Sequence, residues 1–143
     1  MAFGCWRIAG TWQARKVTAK AREAGVKAVL AAHEAGYSFF DLADIYCEGI
    51  SESLFGLALK QSKVLAKSAV IATKCGIRIP EGGETYRYDF SADYIVQSAE
   101  QSLQRMGIDC IDIYQLHRPD WLMDPAEVAT AFTKLKKAGK VKH

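Results

Sequence analysis

The sequence repeats one local order of elements: a segment with helical periodicity, a glycine, and a short buried strand. The first helix is predicted from Arg22 to Ala35, with Gly36 as its left-handed C-terminal cap. The segment YSFFDLADIY follows, and its aromatic and apolar residues predict a strand that ends near Asp41. Strands that alternate with helices in this way are typical of a parallel α/β sheet.

The second repeat begins at Ser51, which is predicted to cap a helix, and continues to the strand AVIATK, which ends at Lys74. The apolar face of this helix is predicted to consist of Leu54, Phe55, Ala58 and Leu59. The segment from Gly76 to Phe90 contains proline and glycine and no apolar period, so we expect a long loop there.

The third repeat starts with a helix at Ser91 that Gly107 caps, and its strand CIDIYQL runs into His117. Asp124-Pro-Ala-Glu127 then combines an N-cap, a proline at the first helical position and a glutamate three residues after the cap. These signals predict a helix that closes at Gly139. The final KVKH is expected to be the first residues of another strand.

Three ionisable residues stand where a buried strand meets its following loop: Asp41, Lys74 and His117. In a parallel α/β barrel these strand ends face one another across a single mouth, which is where active sites are found. An open doubly wound sheet normally carries a GxGxxG turn after its first strand, and the sequence has none. The pattern therefore favours a barrel with an active site at its mouth.

Composition is that of a globular protein, because half of the 143 residues are apolar and 24% are charged, so we expect one domain over residues 1–143. We predict a cytoplasmic protein with no membrane partner, since the sequence has neither a signal-like start nor a long apolar stretch. Much of the net charge of +3 comes from a lysine run that we interpret as a solvated helix end and not as a nucleic-acid site. This run consists of Lys134, Lys136, Lys137, Lys140 and Lys142.

Four cysteines are far apart in the sequence and form no CxxC pair, so we predict reduced thiols and no metal site. They are Cys5, Cys47, Cys75 and Cys110. His33, at an apolar position of the first helix, is interpreted as a core histidine.

Three ordered motifs resemble those of the aldo/keto reductase family. FFDLADIYCEG followed by SESLFGLALK is similar to the family's aspartate, its tyrosine five residues later and then E-x-x-x-G. IATKCGIR is similar to its catalytic-lysine strand, DCIDIYQLHRPD to its catalytic-histidine strand, and GCWRIAG to the segment after its first strand. The resemblance implies a (β/α)8 barrel of the TIM type. It also implies NADP(H)-dependent hydride transfer, with NAD(H) as the alternative, to or from a small carbonyl or alcohol substrate.

The resemblance assigns a catalytic tetrad to Asp41, Tyr46, Lys74 and His117. Tyr46 would give a proton to the carbonyl oxygen, while the Lys74 cation favours the phenolate and Asp41 keeps that cation in place. His117 would donate a second hydrogen bond to the substrate oxygen and orient the substrate. Trp6 would form an apolar wall of the substrate pocket.

The same resemblance implies which residues meet the cofactor. Asp41 is expected near the nicotinamide ribose, and Trp6 and Arg7 near the nicotinamide end. No residue of this chain is matched to the groups that hold the adenosine 2′-phosphate in relatives.

The family barrel has eight strands, and this sequence reaches only the start of the fifth, so about the first half is expected. We then expect two unpaired edges, one near 6–8 and one at the histidine strand 110–116 or just beyond. Inward side chains that would meet water include Phe39, Ile71 and Ile113 or their neighbours. Burying them predicts a homo-oligomer, or else a fragment of a longer protein.

Two other interpretations stay open. Lys74 could form a Schiff base with a carbonyl substrate, as strand-end lysines do in aldolase chemistry. Alternatively, the chain could be a catalytically inactive truncated relative that serves as a binding or regulatory module, or a gene fragment. Taken singly, each tetrad residue also has an ordinary structural role: Asp41 could cap a loop, Tyr46 could pack, and His117 could be a satisfied core histidine.

Overall fold

The computed structural model describes residues 1–80 and 85–143. A short 3₁₀ turn at Ala14–Lys16 precedes the first helix. In chain order the helices and strands are β1 (Ala2–Gly4), α1 (Ala19–Glu34), β2 (Phe39–Asp41), α2 (Ile50–Gln61), α3 (Lys63–Ser68), β3 (Val70–Cys75), β4 (Ile77–Arg78), β5 (Arg87–Tyr88), α4 (Ala92–Met106), β6 (Ile113–Leu116) and α5 (Pro125–Lys137).

Four strands form one parallel sheet in the order β1-β2-β3-β6, so the predicted parallel α/β sheet is confirmed. Helical segments connect each strand to the next, as parallel pairing requires. Along the row of helices, α1 packs on α2, α2 on α4, and α4 on α5.

The C-terminal residues begin a further parallel strand, as predicted from KVKH. Val141 bridges to Ile111, and the Ile111 amide donates to the Lys140 carbonyl at 2.9 Å. The Tyr114 amide also donates to the His143 carbonyl at 2.8 Å. The outer side of the histidine strand is therefore paired along part of its length.

The two faces of the sheet differ, because successive side chains of a strand point to opposite sides. The helix side carries Phe40, Ile71 and Tyr114, all buried, and the Phe40 ring lies 5.1 Å from the Phe55 ring of α2. We call the opposite side the barrel side. It carries Phe39 and Val70, and Val70 is 37% exposed.

One expectation for the barrel side was wrong. Ile71 was expected to face inward and meet water, yet it is 6% exposed on the helix side. It pairs with Phe40 and therefore shares that residue's face, whereas Phe39 and Ile113 lie on the barrel side and are partly exposed. The apolar run 70–73 gives no alternation from which the two faces could be told apart.

The first edge of the sheet also lies elsewhere than expected. Strand β1 is Ala2–Gly4, and residues 6–9 form a turn. The edge of the sheet on this side is thus Ala2–Gly4. Trp6 lies in the turn that follows and takes no part in the sheet.

Two predicted helix starts need correction. The first helix begins at Ala19, where Thr18 Oγ1 accepts from the Ala21 amide at 3.1 Å. The second begins at Ile50 behind Gly49, which is left-handed with φ 83°, so Ser51 lies inside the helix and does not cap it. Ser51 Oγ is buried and has no hydrogen-bond partner in the described part of the chain. The apolar face of this helix is buried as predicted: Leu54, Phe55, Ala58 and Leu59.

Later helix signals are confirmed except for the role of Glu127. Ser91 and Gly107 flank α4, and Asp124 Oδ1 caps α5 by accepting from the Ala126 amide at 2.8 Å. Glu127, however, does not close a capping box; its Oε2 accepts from the Ala92 amide at 3.0 Å and so caps α4 instead. Helix α5 ends at Lys137, just before Gly139 with φ 68°.

His33 is not a core residue. Its side chain is partly exposed, and Nε2 shares a hydrogen bond of 2.9 Å with Ser68 Oγ. The segment 76–90, predicted as a loop, contains the antiparallel pair β4–β5. Residues 81–84 of that loop lie outside the described residues.

Candidate active site

Lys74 is the centre of the cluster at the carboxyl end of the sheet. Its Nζ forms an ion pair with Asp41 Oδ1 at 2.8 Å and donates to the Leu42 carbonyl at 2.6 Å. It also lies 3.3 Å from the Tyr46 hydroxyl, within hydrogen-bond reach. The Lys74 side chain is 15% exposed, so its ammonium is held among these oxygens with little competition from water.

Tyr46 is placed by a tight turn between β2 and α2. The turn ends in three successive left-handed residues, Cys47, Glu48 and Gly49, with φ of 50°, 55° and 83°. This conformation reverses the chain after Tyr46, and the ammonium of Lys74 comes to lie 5.1 Å from the Tyr46 ring centre. The tyrosine is thus held against the lysine at the mouth.

His117 completes the cluster from the end of β6. Its backbone amide donates to the Cys75 carbonyl at 2.7 Å, which extends the ladder between β3 and β6 by one residue. Its ring lies edge-on to the Tyr46 ring at 5.7 Å. Partial burial, followed by the nearby Lys74 and Arg118 cations, lowers the pKa of His117, so its imidazole is neutral at pH 7.

A cavity of about 790 Å³ opens directly over this cluster. Trp6 stands on its wall, 49% exposed, with its ring 6.5 Å from the Tyr46 ring. Arg7 places its guanidinium 5.5 Å from the Trp6 ring centre. Of the six residues predicted for the site, Trp6, Tyr46 and His117 line this cavity, and Lys74 and Asp41 join them through the contacts of Lys74 with Tyr46 and Asp41. Arg7 lies beside Trp6 but does not line the cavity.

All 143 residues match the sequence model of the aldo/keto reductase family. The chain belongs to this family. It is 45% identical over 112 residues to the oxidoreductase YcsN of Bacillus subtilis, a match that covers 76% of this chain and 37% of that protein. It is 37% identical over 148 residues to the 6-dehydroglucose reductase of Novosphingobium aromaticivorans, covering 99% of this chain and 45% of that one.

The solved structure of aldo-keto reductase AKR11C1 from Bacillus halodurans superposes with a TM-score of 0.83 at 29% identity, covering 100% of this chain and 44% of that chain. The chain thus spans less than half the length of these aldo/keto reductases. Its fold is a partial (β/α)8 barrel, as the sequence predicted.

Sequence reasoning did not foresee the charged network behind this aldo/keto reductase site. Glu52 is fully buried on α2, and its two oxygens accept from Thr73 Oγ1 and from Arg105 Nε, both at 2.6 Å. Arg105 also donates to Ser102 Oγ at 3.1 Å. This network ties α2, β3 and α4 together directly below Lys74. The E-x-x-x-G motif contains both residues that this packing needs. Its glutamate, Glu52, binds Thr73 of β3. Its glycine, Gly56, leaves room for α4, because a Cβ there would collide with the Met106 carbonyl.

Asp44 is a second residue that sequence reasoning missed. Its amide donates to the Lys74 carbonyl at 3.0 Å, while its Oδ1 is buried without a hydrogen-bond partner among the described residues. Burial, followed by the nearby Glu52 carboxylate, raises the pKa of Asp44 to about 7. A carboxyl that titrates near neutral pH therefore lies beside the lysine strand.

The cysteines near the mouth are poor nucleophiles. All four cysteines are free, and burial raises the pKa of Cys5 and of Cys75 to about 12. A thiol reacts as its thiolate, which these two side chains do not form near pH 7. In residues 1–80 and 85–143 no group of three or more His, Cys, Asp or Glu could hold a metal ion, and no helix could span a membrane.

Proposed function

We propose that this chain provides the catalytic half of an NADP(H)-dependent aldo/keto reductase that interconverts a small carbonyl and its alcohol. One observation carries the proposal: the Lys74 ammonium lies between Asp41 Oδ1 at 2.8 Å and the Tyr46 hydroxyl at 3.3 Å. This arrangement suits a tyrosine that must lose a proton during reaction, because the cation stabilises the phenolate that forms.

The residues would divide the reduction as follows. When bound, the nicotinamide supplies hydride to the carbonyl carbon. Tyr46 donates its hydroxyl proton to the carbonyl oxygen as negative charge develops there. Lys74 stabilises the resulting phenolate, and Asp41 keeps Lys74 charged and aimed at Tyr46. His117, neutral at pH 7, donates one ring N–H to the substrate oxygen and fixes its position.

The described residues fit the nicotinamide end of such a cofactor. Asp41 keeps a third of its side chain exposed, 34%, which leaves a carboxylate oxygen free to accept from a ribose hydroxyl. Trp6 lines the cavity, Arg7 lies beside the Trp6 ring, and both would contact the nicotinamide end. NADP(H) remains our prediction over NAD(H), and the groups that would bind the adenosine end are expected on the second half of the barrel.

A Schiff-base role for Lys74 fits the geometry less well. Such a lysine must attack with a free amine lone pair, whereas Lys74 Nζ is engaged in an ion pair with Asp41 and donates to the Leu42 carbonyl. Proton supply through Tyr46 is therefore the better use of this lysine.

The experiment for this proposal follows the hydride itself. Residues 1–143 are joined to the C-terminal part of the Novosphingobium 6-dehydroglucose reductase, so that the barrel is complete, and the protein is given 4-nitrobenzaldehyde with NADPH deuterated at the nicotinamide C4. We expect one deuterium on the alcohol carbon by mass spectrometry. The Lys74→Met variant should lose this transfer. Equal transfer by both proteins, or none by the parent, would contradict the proposal.

One observation favours a second candidate, a non-catalytic module that binds another chain. The barrel side of the sheet is partly exposed, with Val70 at 37%, and such a face suits contact with a protein partner. This candidate predicts partner binding and no hydride transfer.

Three further expectations from the sequence also remain predictions: a single domain over 1–143, a cytoplasmic location and self-association.

A further inference from the structure

Arg118 is the cavity residue that the proposed reaction leaves unused. It follows His117 directly, it is exposed, and it lines the same cavity as Tyr46 and Trp6. Because both side chains line one cavity, a ligand that Arg118 binds would share that cavity with a carbonyl held by His117. Its position therefore suits contact with the part of a substrate next to the reacting carbon.

The backbone of Arg118 is strained. Its φ is 97°, a left-handed value that a side chain bearing a Cβ adopts only at a cost and that glycine adopts freely. The turn is held in place because the Arg118 amide donates to the Leu116 carbonyl at 3.1 Å. Strained residues of this kind cluster at active sites and ligand-binding sites, where the surrounding structure maintains the backbone conformation.

The guanidinium of Arg118 makes no ion pair or hydrogen bond within residues 1–80 and 85–143. Glu48 of the same cavity directs its Oε1 to the Ala14 amide, at 3.2 Å, and makes no ion pair with Arg118. Arginine presents a planar set of donors that matches a carboxylate in a two-point contact. Exposed Trp6 and Trp12 add flat apolar walls for the body of a ligand.

We propose that Arg118 is a specificity-determining residue that selects carbonyl substrates bearing a carboxylate near the reacting carbon. This inference rests on the proposed reductase function for its substrate class. The carboxylate binds the guanidinium, the organic body of the substrate lies against Trp6 and Trp12, and the carbonyl oxygen meets Tyr46 and His117. A neutral aldehyde of equal shape lacks the first of these contacts.

The test measures binding alone, so its outcome is separate from that of the deuterium experiment. The 143-residue chain is titrated by ligand-observed NMR with 3-carboxybenzaldehyde, whose carboxylate lies on the same side of the ring as the aldehyde, and with the uncharged 3-formylbenzamide. We expect the carboxylate to bind at least about tenfold more tightly at low salt, and the preference to shrink as salt rises. Equal affinities, or no binding of either aldehyde, would overturn the proposal whether or not the completed barrel transfers hydride.

Two variants assign the preference to the side chain. Arg118→Gln removes the charge, and Arg118→Gly removes it while relieving the strained backbone, so the second variant cannot fail through strain. Both should bind the two aldehydes within about twofold of each other. Arg15→Gln is the matched control, because Arg15 is exposed outside the cavity and its loss removes the same charge. It should keep the preference. A preference that survives Arg118→Gly, or disappears in Arg15→Gln, would show that Arg118 does not provide it.

Discussion

Two neighbouring residues of β3 show how the faces of this sheet differ. Thr73 points to the helix side, where it is fully buried and donates to Glu52 at 2.6 Å. Lys74 points to the barrel side, where it meets Asp41 and Tyr46. The helix side is closed by side chains of this chain, and the barrel side is partly open. Packing and chemistry are thus separated by alternation along a single strand.

The largest effect should come from covering the barrel side. Ile113 and Val70 are partly exposed there, and buried apolar surface contributes about 25 cal/mol per Å². We expect the chain to self-associate with a Kd of about 1 μM or lower, equivalent to about 8 kcal/mol. Sedimentation velocity should show a dimer or larger species at micromolar concentration.

The control for self-association introduces a lysine either on the barrel side or on an exposed helix. Ile113→Lys should produce monomers, while Val64→Lys, at a position 69% exposed on α3, should leave the assembly intact. A stable, cooperatively unfolding monomer at high concentration would show that the barrel side needs no cover.

The second effect compares adjacent phenylalanines of β2. Phe40 is fully buried against Phe55, so Phe40→Ala should lower the free energy of unfolding by about 3–5 kcal/mol. Phe39 lies partly exposed on the barrel side, and Phe39→Ala should cost less than about 1 kcal/mol. Urea titrations of both variants below the association threshold would measure this difference. Similar costs would mean that the two faces are equally packed.

The order of elements could be predicted from the sequence because its signals are local. Glycines such as Gly36 and Gly107 end helices, and Asp124-Pro125 begins one, whatever the rest of the fold does. The convergence of Asp41, Lys74 and His117 followed from parallel topology, which puts all three strand ends at one mouth.

What could not be predicted depends on contacts between distant segments. Glu52 looks like an exposed helix residue until Thr73 and Arg105 are brought to it by folding. The face of Ile71 was misread because its strand is apolar at nearly every position. Because of the left-handed turn before α2, the N-cap is Gly49 and not Ser51, and Ser51 alone carries no sign of that turn.

A third, smaller effect separates the roles of Thr73 and Lys74. Thr73→Val should lower the free energy of unfolding by about 1–3 kcal/mol, since buried Glu52 loses a donor. Hydride transfer by the completed barrel should then persist. Thr130→Val on the exposed face of α5 is the control and should change stability by less than about 0.5 kcal/mol. A Thr73→Val variant with unchanged stability but lost hydride transfer would show that Thr73 serves the reaction and not the packing.

A further effect appears only as the pH changes and comes from Asp44. Its pKa of about 7 exceeds its ordinary value, so the unfolded chain ionises first as pH rises, and the folded chain loses stability between about pH 4 and 7. Asp44→Asn should remove that loss. Thermal melts should show no gain over the parent at pH 4 and a gain of at least about 5 °C at pH 8, because a pKa shift of about three units corresponds to several kcal/mol. The exposed Asp109→Asn is the control. An equal gain at both pH values would rule out Asp44 ionisation as the cause.

The central claim is that Tyr46 supplies the proton for carbonyl reduction at this mouth. Its most direct test is the Tyr46→Phe variant of the completed barrel, measured by NADPH oxidation with 4-nitrobenzaldehyde and by NADPH binding. We expect kcat to fall at least about 100-fold while the Kd for NADPH stays within about twofold. Tyr37→Phe, which removes a hydroxyl outside the cavity, should leave kcat unchanged. A Tyr46→Phe variant with undiminished kcat would contradict the account.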